Sequence, residues 1–414
     1  MKLISSKRSG AALDRLSNRG ALDLARVEKS TGKIVNDVRK RGDSALLRYA
    51  RKFDGFVGKN LRVTQTEMDV AWQQVTLDFR GALETAAANI RRFCEWQRPH
   101  EWIREVQPGV KLGQLVRPID AVGCYVPGGR HPLPSTLLMT VIPAQIAEVP
   151  RIVVVSPRPA PETLAAAALL GVKEFYAIGG AQAIAALAYG TKIIPKVNKI
   201  VGPGNAFVTA AKKLVAFDCS IDMLAGPTEA LVVSENGNAA FIAADLVAQA
   251  EHDPDALPIF VTSNKKLGEQ VIVETRRQSE SNRIAREALR RNGYVILSES
   301  PADSMRIANL LAPEHITVPD PSALSEVHSA GSAFVGDFSP QAAGDYASGP
   351  NHVLPTGACA RFRGGLSIND FVKLITVQEF SARGLGTIAR EVTTIARAEG
   401  LLAHAQSITV RIEA

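Results

Sequence analysis

Ala121-Val122-Gly123-Cys124-Tyr125-Val126 is an apolar run that stops at Pro127-Gly128-Gly129-Arg130. Similar β-branched runs occupy 151–155, 174–178, 199–201 and 230–233. Ala-rich stretches at 136–147, 161–170, 183–189 and 206–216 lie between them. A strand buried on both faces reads as a short continuous apolar run, and strands that alternate with helical segments imply a parallel sheet covered by helices. The pattern resumes with helix at 239–251, strand at 259–262, a polar helical stretch at 267–292, and strands at 295–298 and 333–337.

Upstream of this region, Ile34, Val35, Val38, Ala45, Leu46 and Tyr49 recur at helical spacing. They predict helix over 27–53, with 39–42 as the place of an interruption. Met68, Ala71, Val75, Phe79, Leu83, Ala86 and Ile90 predict a second helix over 65–97. Both stripes are core-facing. The tail from about residue 370 reads as helical, then strand-like at 408–412. No internal repeat is evident.

A chain of 414 residues is too long for one simple core and implies two or three domains. The net charge is +7, but Lys and Arg are dispersed and no basic run interleaves with aromatics. That argues against a nucleic-acid binder and leaves a mild positive field suited to an anionic dinucleotide. No apolar run is long enough to span a bilayer, and the basic, polar residues 1–20 lack the apolar centre of a secretory signal. Cys94, Cys124, Cys219 and Cys359 lie far apart with no CxxC, which points to reduced thiols in a cytoplasmic protein. Cys124 reads as a small core residue.

Several stretches carry chemistry. Pro313 disfavours helix at Ala312, and Ile316, Thr317 and Val318 follow Glu314-His315, so a carboxylate and an imidazole share a loop-to-strand junction. Glycine turns follow three strands: 127–130, Gly179-Gly180 and Gly202-Pro203-Gly204-Asn205. Each is either a tight turn or part of a phosphate cradle, and none is a full GxGxxG. Gln249 and His252 share a helix face and read either as a helix cap or as donors to zinc. Asp345 lies in a polar, turn-rich segment, and Glu399 and His404 lie near the C-terminus. Alone, these three read as surface residues.

Together, 125–130, 178–191 (IGGAQAIAALAYGT), 201–205, 225–229, 249–252, 312–315 and 344–355 resemble the histidinol dehydrogenase family over nearly the whole chain. The resemblance implies two incomplete Rossmann-like parallel-sheet domains with helical terminal extensions used in dimerisation. It divides the chain into an extension at 1–20, a first domain at 21–123 plus 230–368, a second, NAD-side domain at 124–229, and a dimerisation tail at 369–414. Glu314 and His315 match the family's catalytic pair. Tyr125, Gln182 and Asn205 match positions that contact NAD. Gln249, His252, Asp345 and His404 match ligands of one zinc ion per subunit. Thr228, Gln249, His252, His315, Asp345, Glu399 and His404 match positions that contact the substrate, L-histidinol. The family commonly has Ser where this chain has Thr228, and the hydroxyl is kept. His352 matches a position that supports the site, while His100, His131 and His328 match none.

The implied reaction is a zinc-dependent, four-electron oxidation with two NAD+, in a cytoplasmic homodimer whose tail completes the partner's site. Neither nucleic acid nor membrane enters it. A zinc- and NAD-dependent dehydrogenase of a small sulfonated diol is the alternative within the superfamily. A zinc hydrolase built on the His, Asp and Gln set is the alternative outside it, and would leave the three glycine turns without a role.

Overall fold

The computed structural model describes residues 1–8, 10–20, 24–58, 60–128 and 132–413. Of the sequence features above, Gly129, Arg130 and His131 lie outside the described residues.

Among the described residues the expected α/β architecture is present as two six-stranded sheets and one three-stranded sheet. The first sheet runs Lys2–Ser5, Tyr294–Leu297, Leu257–Thr262, Glu229–Val233, His315–Val318, Ser332–Val335, all parallel. The second runs Arg62–Val63, Glu174–Tyr176, Arg151–Val155, Ala121–Tyr125, Lys199–Val201, Ser220–Ile221, parallel except for the antiparallel edge strand Arg62–Val63. Setting aside one edge strand in each, the five remaining strands follow the order 3-2-1-4-5. That is a doubly wound Rossmann order one strand short of the full set.

Burial explains why these runs form parallel strands. Every residue of Ala121–Tyr125, Glu229–Val233, Leu257–Thr262 and His315–Val318 is buried. Alternate side chains serve opposite cores. Val122, Cys124 and Val126 pack with Leu137, Met139 and Ile142, whereas Ala121 and Tyr125 pack with Ile184 and Leu187.

The expected strands at 121–126, 151–155, 174–178, 199–201 and 230–233 all appear, within a residue or two. The helical stretch over 27–53 is interrupted within the expected 39–42, at Gly42 with φ +55°, which leaves the helices Ala25–Arg41 and Asp43–Phe53. Other expectations need correction. The helix over 65–97 is also two, Gln65–Gln74 and Leu77–Trp96, and the Thr76 hydroxyl caps the second by accepting from the Phe79 N–H at 3.2 Å. The polar stretch at 267–292 divides at Asn282, which caps Arg283–Asn292. The tail opens with the strand Val372–Phe380, its expected helical part appears as Ala382–Gly386 and Ala389–Ala398, and the expected strand at 408–412 lies inside the helix Leu402–Ile412. The hairpin Trp102–Gln107 and Val110–Pro118, which pairs antiparallel with Val372–Phe380, was not anticipated.

The sheets also regroup the chain. Arg62–Val63 belongs to the second sheet, and the boundary expected at 123/124 cuts its strand Ala121–Tyr125. Ile34, Val35, Val38 and Leu46 pack on Val153, Val155 and Ile184 of that sheet, and Met68, Leu83 and Ile90 on its other face. The helical stripes of 21–123 therefore cover the second sheet rather than the first. Lys2–Ser5, in the expected extension, is an edge strand of the first sheet.

This arrangement positions the site. His315 and Glu229 each begin a strand, at the amino edge of the first sheet. Tyr125 ends a strand, at the carboxyl edge of the second. The usual rule places ligands at carboxyl edges near the switch in strand order. The second sheet presents its carboxyl edge, through Tyr125, to one cavity, and the first presents its amino edge, through His315, to another.

Candidate active site

The dipeptide Glu314-His315 follows the helix Pro301–Leu311. Ala312 closes that helix in the left-handed region at φ +45°, and Pro313 prevents its continuation. The chain turns sharply there and enters the strand with both catalytic candidates buried, Glu314 at 7% and His315 at 2% exposure.

Glu314 Oε2 accepts from the Thr228 hydroxyl at 2.6 Å and from the Glu229 N–H at 2.9 Å. Burial nevertheless pushes its carboxyl up to about 7, outweighing the neighbouring imidazole and both hydrogen bonds. Burial opposes the charged form of His315 too, but the adjacent Glu314 and Asp345 carboxylates outweigh it and hold the imidazole above its ordinary value. His315 Nδ1 stands 3.2 Å from the Glu229 carbonyl oxygen. A carbonyl has no proton to give, so Nδ1 carries the hydrogen and Nε2 is the basic nitrogen. Nε2 lies 3.6 Å from Asp345 Oδ1. The Gln249 amide is more distant from Nδ1, at 3.5 Å. Phe334 lies against the imidazole with ring centroids 5.9 Å apart.

Gln249 is buried near the end of the helix Ala239–Ala250, and His252 stands exposed just beyond it. Asp345 comes from the short helix Gln341–Tyr346. His352 Nδ1 donates to the Asp345 carbonyl at 2.7 Å, and burial lowers the imidazole below its ordinary value. Its Nε2 faces the Thr136 hydroxyl at 3.4 Å. His352 thus braces the segment that presents Asp345. Thr228, Gln249, His252, Glu314, His315, Asp345 and His352 line one cavity, with Gly202 and Pro203 across from them.

Gln249, His252 and Asp345 bring two oxygen donors and one imidazole to that cavity, a set that suits zinc but is one donor short of four. Glu399 and His404 are exposed on the tail and line neither this cavity nor the next.

Tyr125, Gln182 and Asn205 do converge, in a second cavity shared with Phe53, Asp54, Gly128, Pro157, Arg158 and Phe207. The Tyr125 hydroxyl accepts from the Gly180 N–H at 3.1 Å. Asn205 Oδ1 accepts from the N–H groups of Phe207 and Val208 at 3.0 and 3.2 Å, capping the helix Ala206–Val215. A Cβ on Gly128 would stand 2.2 Å from the Pro157 carbonyl oxygen, so only glycine fits that wall. The turn Gly202-Pro203-Gly204-Asn205 borders both cavities.

Two residues of the site were given no role by the sequence reading. Asp54 Oδ2 accepts from the Gly179 N–H at 3.2 Å and from Gln182 Nε2 at 3.1 Å, and burial raises its carboxyl. Glu229 stands directly behind Glu314 and His315. Both act through partners distant in sequence.

The sequence model of the histidinol dehydrogenase family matches residues 17–412. A histidinol dehydrogenase of Methanothermobacter thermautotrophicus is 45% identical over 413 residues, covering 97% of each chain. One of Geobacter sulfurreducens is 44% identical over 401 residues, covering 94% of each. The crystal structure of histidinol dehydrogenase from Elizabethkingia anophelis superposes with a TM-score of 0.94 at 36% identity, covering 100% of this chain and 98% of that one. The match spans both sheets and every residue of the two cavities, and on it the chain belongs to the histidinol dehydrogenase family.

Proposed function

We propose that this chain oxidises L-histidinol to L-histidine through L-histidinaldehyde, reducing two NAD+, as the last steps of histidine biosynthesis in the cytoplasm. The observation that carries this reading is the side-by-side placement of Glu314 and His315, buried and held by separate partners at the edge of a cavity. Two proton transfers of different kinds call for two bases.

His315 Nε2 takes the proton of the alcohol as a hydride leaves carbon for the nicotinamide. Tyr125, Gln182 and Asn205 line the cavity that holds the dinucleotide, next to the substrate cavity across the Gly202–Asn205 turn. Glu314 in its carboxylate form then draws a proton from water as the water oxygen adds to the aldehyde carbon, and His315 hands the proton it holds to the carbonyl oxygen, which yields the hydrated aldehyde and leaves Nε2 free again. His315 accepts a proton again as the hydrated aldehyde loses its hydride to a second NAD+.

Gln249, His252 and Asp345 would hold one zinc ion, with the partner subunit's His404 as the fourth donor in a homodimer. When bound, the metal supplies a fixed positive template for the imidazole and amino nitrogens of the substrate. The partner subunit's Glu399 would contact the substrate in the same way. The exposed position of the tail on this chain favours that arrangement over a site closed within one copy.

The test is NADH formed per L-histidinol consumed by purified protein, before and after chelation and zinc repletion. Two NADH per substrate, lost on chelation and restored by zinc, is the expected result. One NADH per substrate, or turnover confined to a small sulfonated diol, would move the activity to the related dehydrogenases.

A further inference from the structure

An ion pair between partly buried Arg19 and buried Glu229 stands behind Glu314-His315, outside both cavities. Glu229 is 4% exposed and begins the central strand of the first sheet. Its carboxylate accepts four N–H groups. Oε1 takes Arg19 Nε at 2.7 Å and the Gly357 N–H at 2.8 Å. Oε2 takes an Arg19 terminal nitrogen at 2.5 Å and the Glu314 N–H at 3.3 Å. The backbone of the same residue completes the circuit. The Glu229 N–H donates to the Glu314 carboxylate at 2.9 Å, and the Glu229 carbonyl accepts from His315 Nδ1 at 3.2 Å.

Arg19 extends the circuit to the helix that leads into the dipeptide. Its remaining terminal nitrogen donates to the carbonyls of Leu16 at 2.6 Å and Leu311 at 2.7 Å. Arg361 does the same for Ser17 at 2.9 Å and Leu310 at 2.6 Å. Leu310 and Leu311 are the last two residues of Pro301–Leu311, whose final carbonyls have no partner within the helix. Leu13 and Leu16 seat the N-terminal segment on Ile307, Ala308 and Leu311.

We propose that Arg19 and Glu229 are positioning residues that act as one unit to set the catalytic dipeptide. The pair fixes the exit of the helix, the backbone of Glu314 and the ring orientation of His315. A planar guanidinium suits this task, since one group meets both carboxylate oxygens and two carbonyls at fixed angles. A lysine cannot reproduce that fork.

This inference rests on the reading of Glu314 and His315 as the reacting pair. Its test uses the full-length, zinc-loaded protein and the variants Arg19→Met, Arg19→Lys, Glu229→Gln and the double Arg19→Met/Glu229→Gln. Each is assayed on L-histidinol, with its melting curve recorded in parallel. The expected result is a fall in kcat of about 10²-fold for Arg19→Met and Glu229→Gln, with KM for L-histidinol within about threefold. Arg19→Lys recovers part of the loss, and the double variant is no worse than the poorer single, as for groups that act together. Should Arg19→Met not fold, Glu229→Gln and Arg19→Lys carry the same comparison. Melting curves shifted with wild-type kcat per folded molecule would overturn the proposal and leave a purely structural pair, and losses that multiply in the double variant would overturn it as well. Wild-type protein without activity on L-histidinol would instead overturn the reading beneath it.

Discussion

The Thr228 hydroxyl donates to Glu314 Oε2 at 2.6 Å. Gln249 Oε1 lies 3.1 Å from the same hydroxyl, but one O–H serves one acceptor well and the shorter contact takes it. This bond favours the charged form of a carboxylate that burial pushes up to about 7. Thr228→Val removes the donor and keeps the shape. The pH at which aldehyde oxidation reaches half its maximum therefore moves upward in the variant, by about one unit for a bond worth 1.5–3 kcal/mol that is partly replaced by water. Thr228→Ser stays near wild type. The pH–rate profile of each variant on L-histidinaldehyde checks this.

Glu314 also imposes a cost on the fold. Its carboxyl rises from an ordinary 4.5 to about 7 on folding. A raised value means that stability is fully present below the unfolded value and declines as pH climbs through the folded one. Glu314→Gln keeps acceptors for Thr228 and Glu229 without the buried charge. The variant is expected to be more stable than wild type at about pH 8, by on the order of 1–3 kcal/mol, with the difference shrinking near about pH 5. Urea unfolding of both proteins at the two pH values measures it.

Gly202 sits at φ +110°, and a Cβ there would stand 2.1 Å from the Tyr125 carbonyl oxygen. Gly202→Ala strains the turn and displaces Tyr125 from the cavity proposed for the dinucleotide. A stability loss of about 1–3 kcal/mol or more is expected, together with a raised KM for NAD. A variant with unchanged melting and unchanged KM would show that the turn accommodates the methyl group.

Lys212 and Asp222 form a buried ion pair that grips both backbone groups of Gly202. Lys212 Nζ donates to the Gly202 carbonyl at 2.9 Å, and Asp222 Oδ2 accepts from the Gly202 N–H at 2.7 Å. Lys212→Met leaves a buried carboxylate unpaired and costs about 3–5 kcal/mol. The double variant Lys212→Met/Asp222→Asn costs less than Lys212→Met alone, which denaturant melts will show.

What was legible in the sequence follows burial and sequence distance. Fully buried strands such as Ala121–Tyr125 announce themselves as apolar runs closed by Gly or Pro. The hairpin strand Trp102–Gln107 does not, because Trp102, Ile103 and Val106 face outward and charged residues lie between them. In Leu402–Ile412 the β-branched Ile408, Thr409, Val410 and Ile412 suggested strand, yet the segment folds as helix, with Ala405 buried and its partner helix Ala389–Ala398 alongside. Tertiary packing overrides local preference there. The dipeptide Glu314-His315 was legible from its junction with Pro313, and the wider site only through the family resemblance. Arg19 and Glu229 stayed hidden because their pairing spans 210 residues.

Glu314→Gln separates the two proton transfers proposed for Glu314 and His315. The variant is assayed separately on L-histidinol and L-histidinaldehyde, with NADH followed in each. Alcohol oxidation is expected to stay within a few-fold of wild type and aldehyde oxidation to fall by about 10²–10⁴-fold. Equal losses in both half-reactions, or full activity on the aldehyde, would contradict that division of labour.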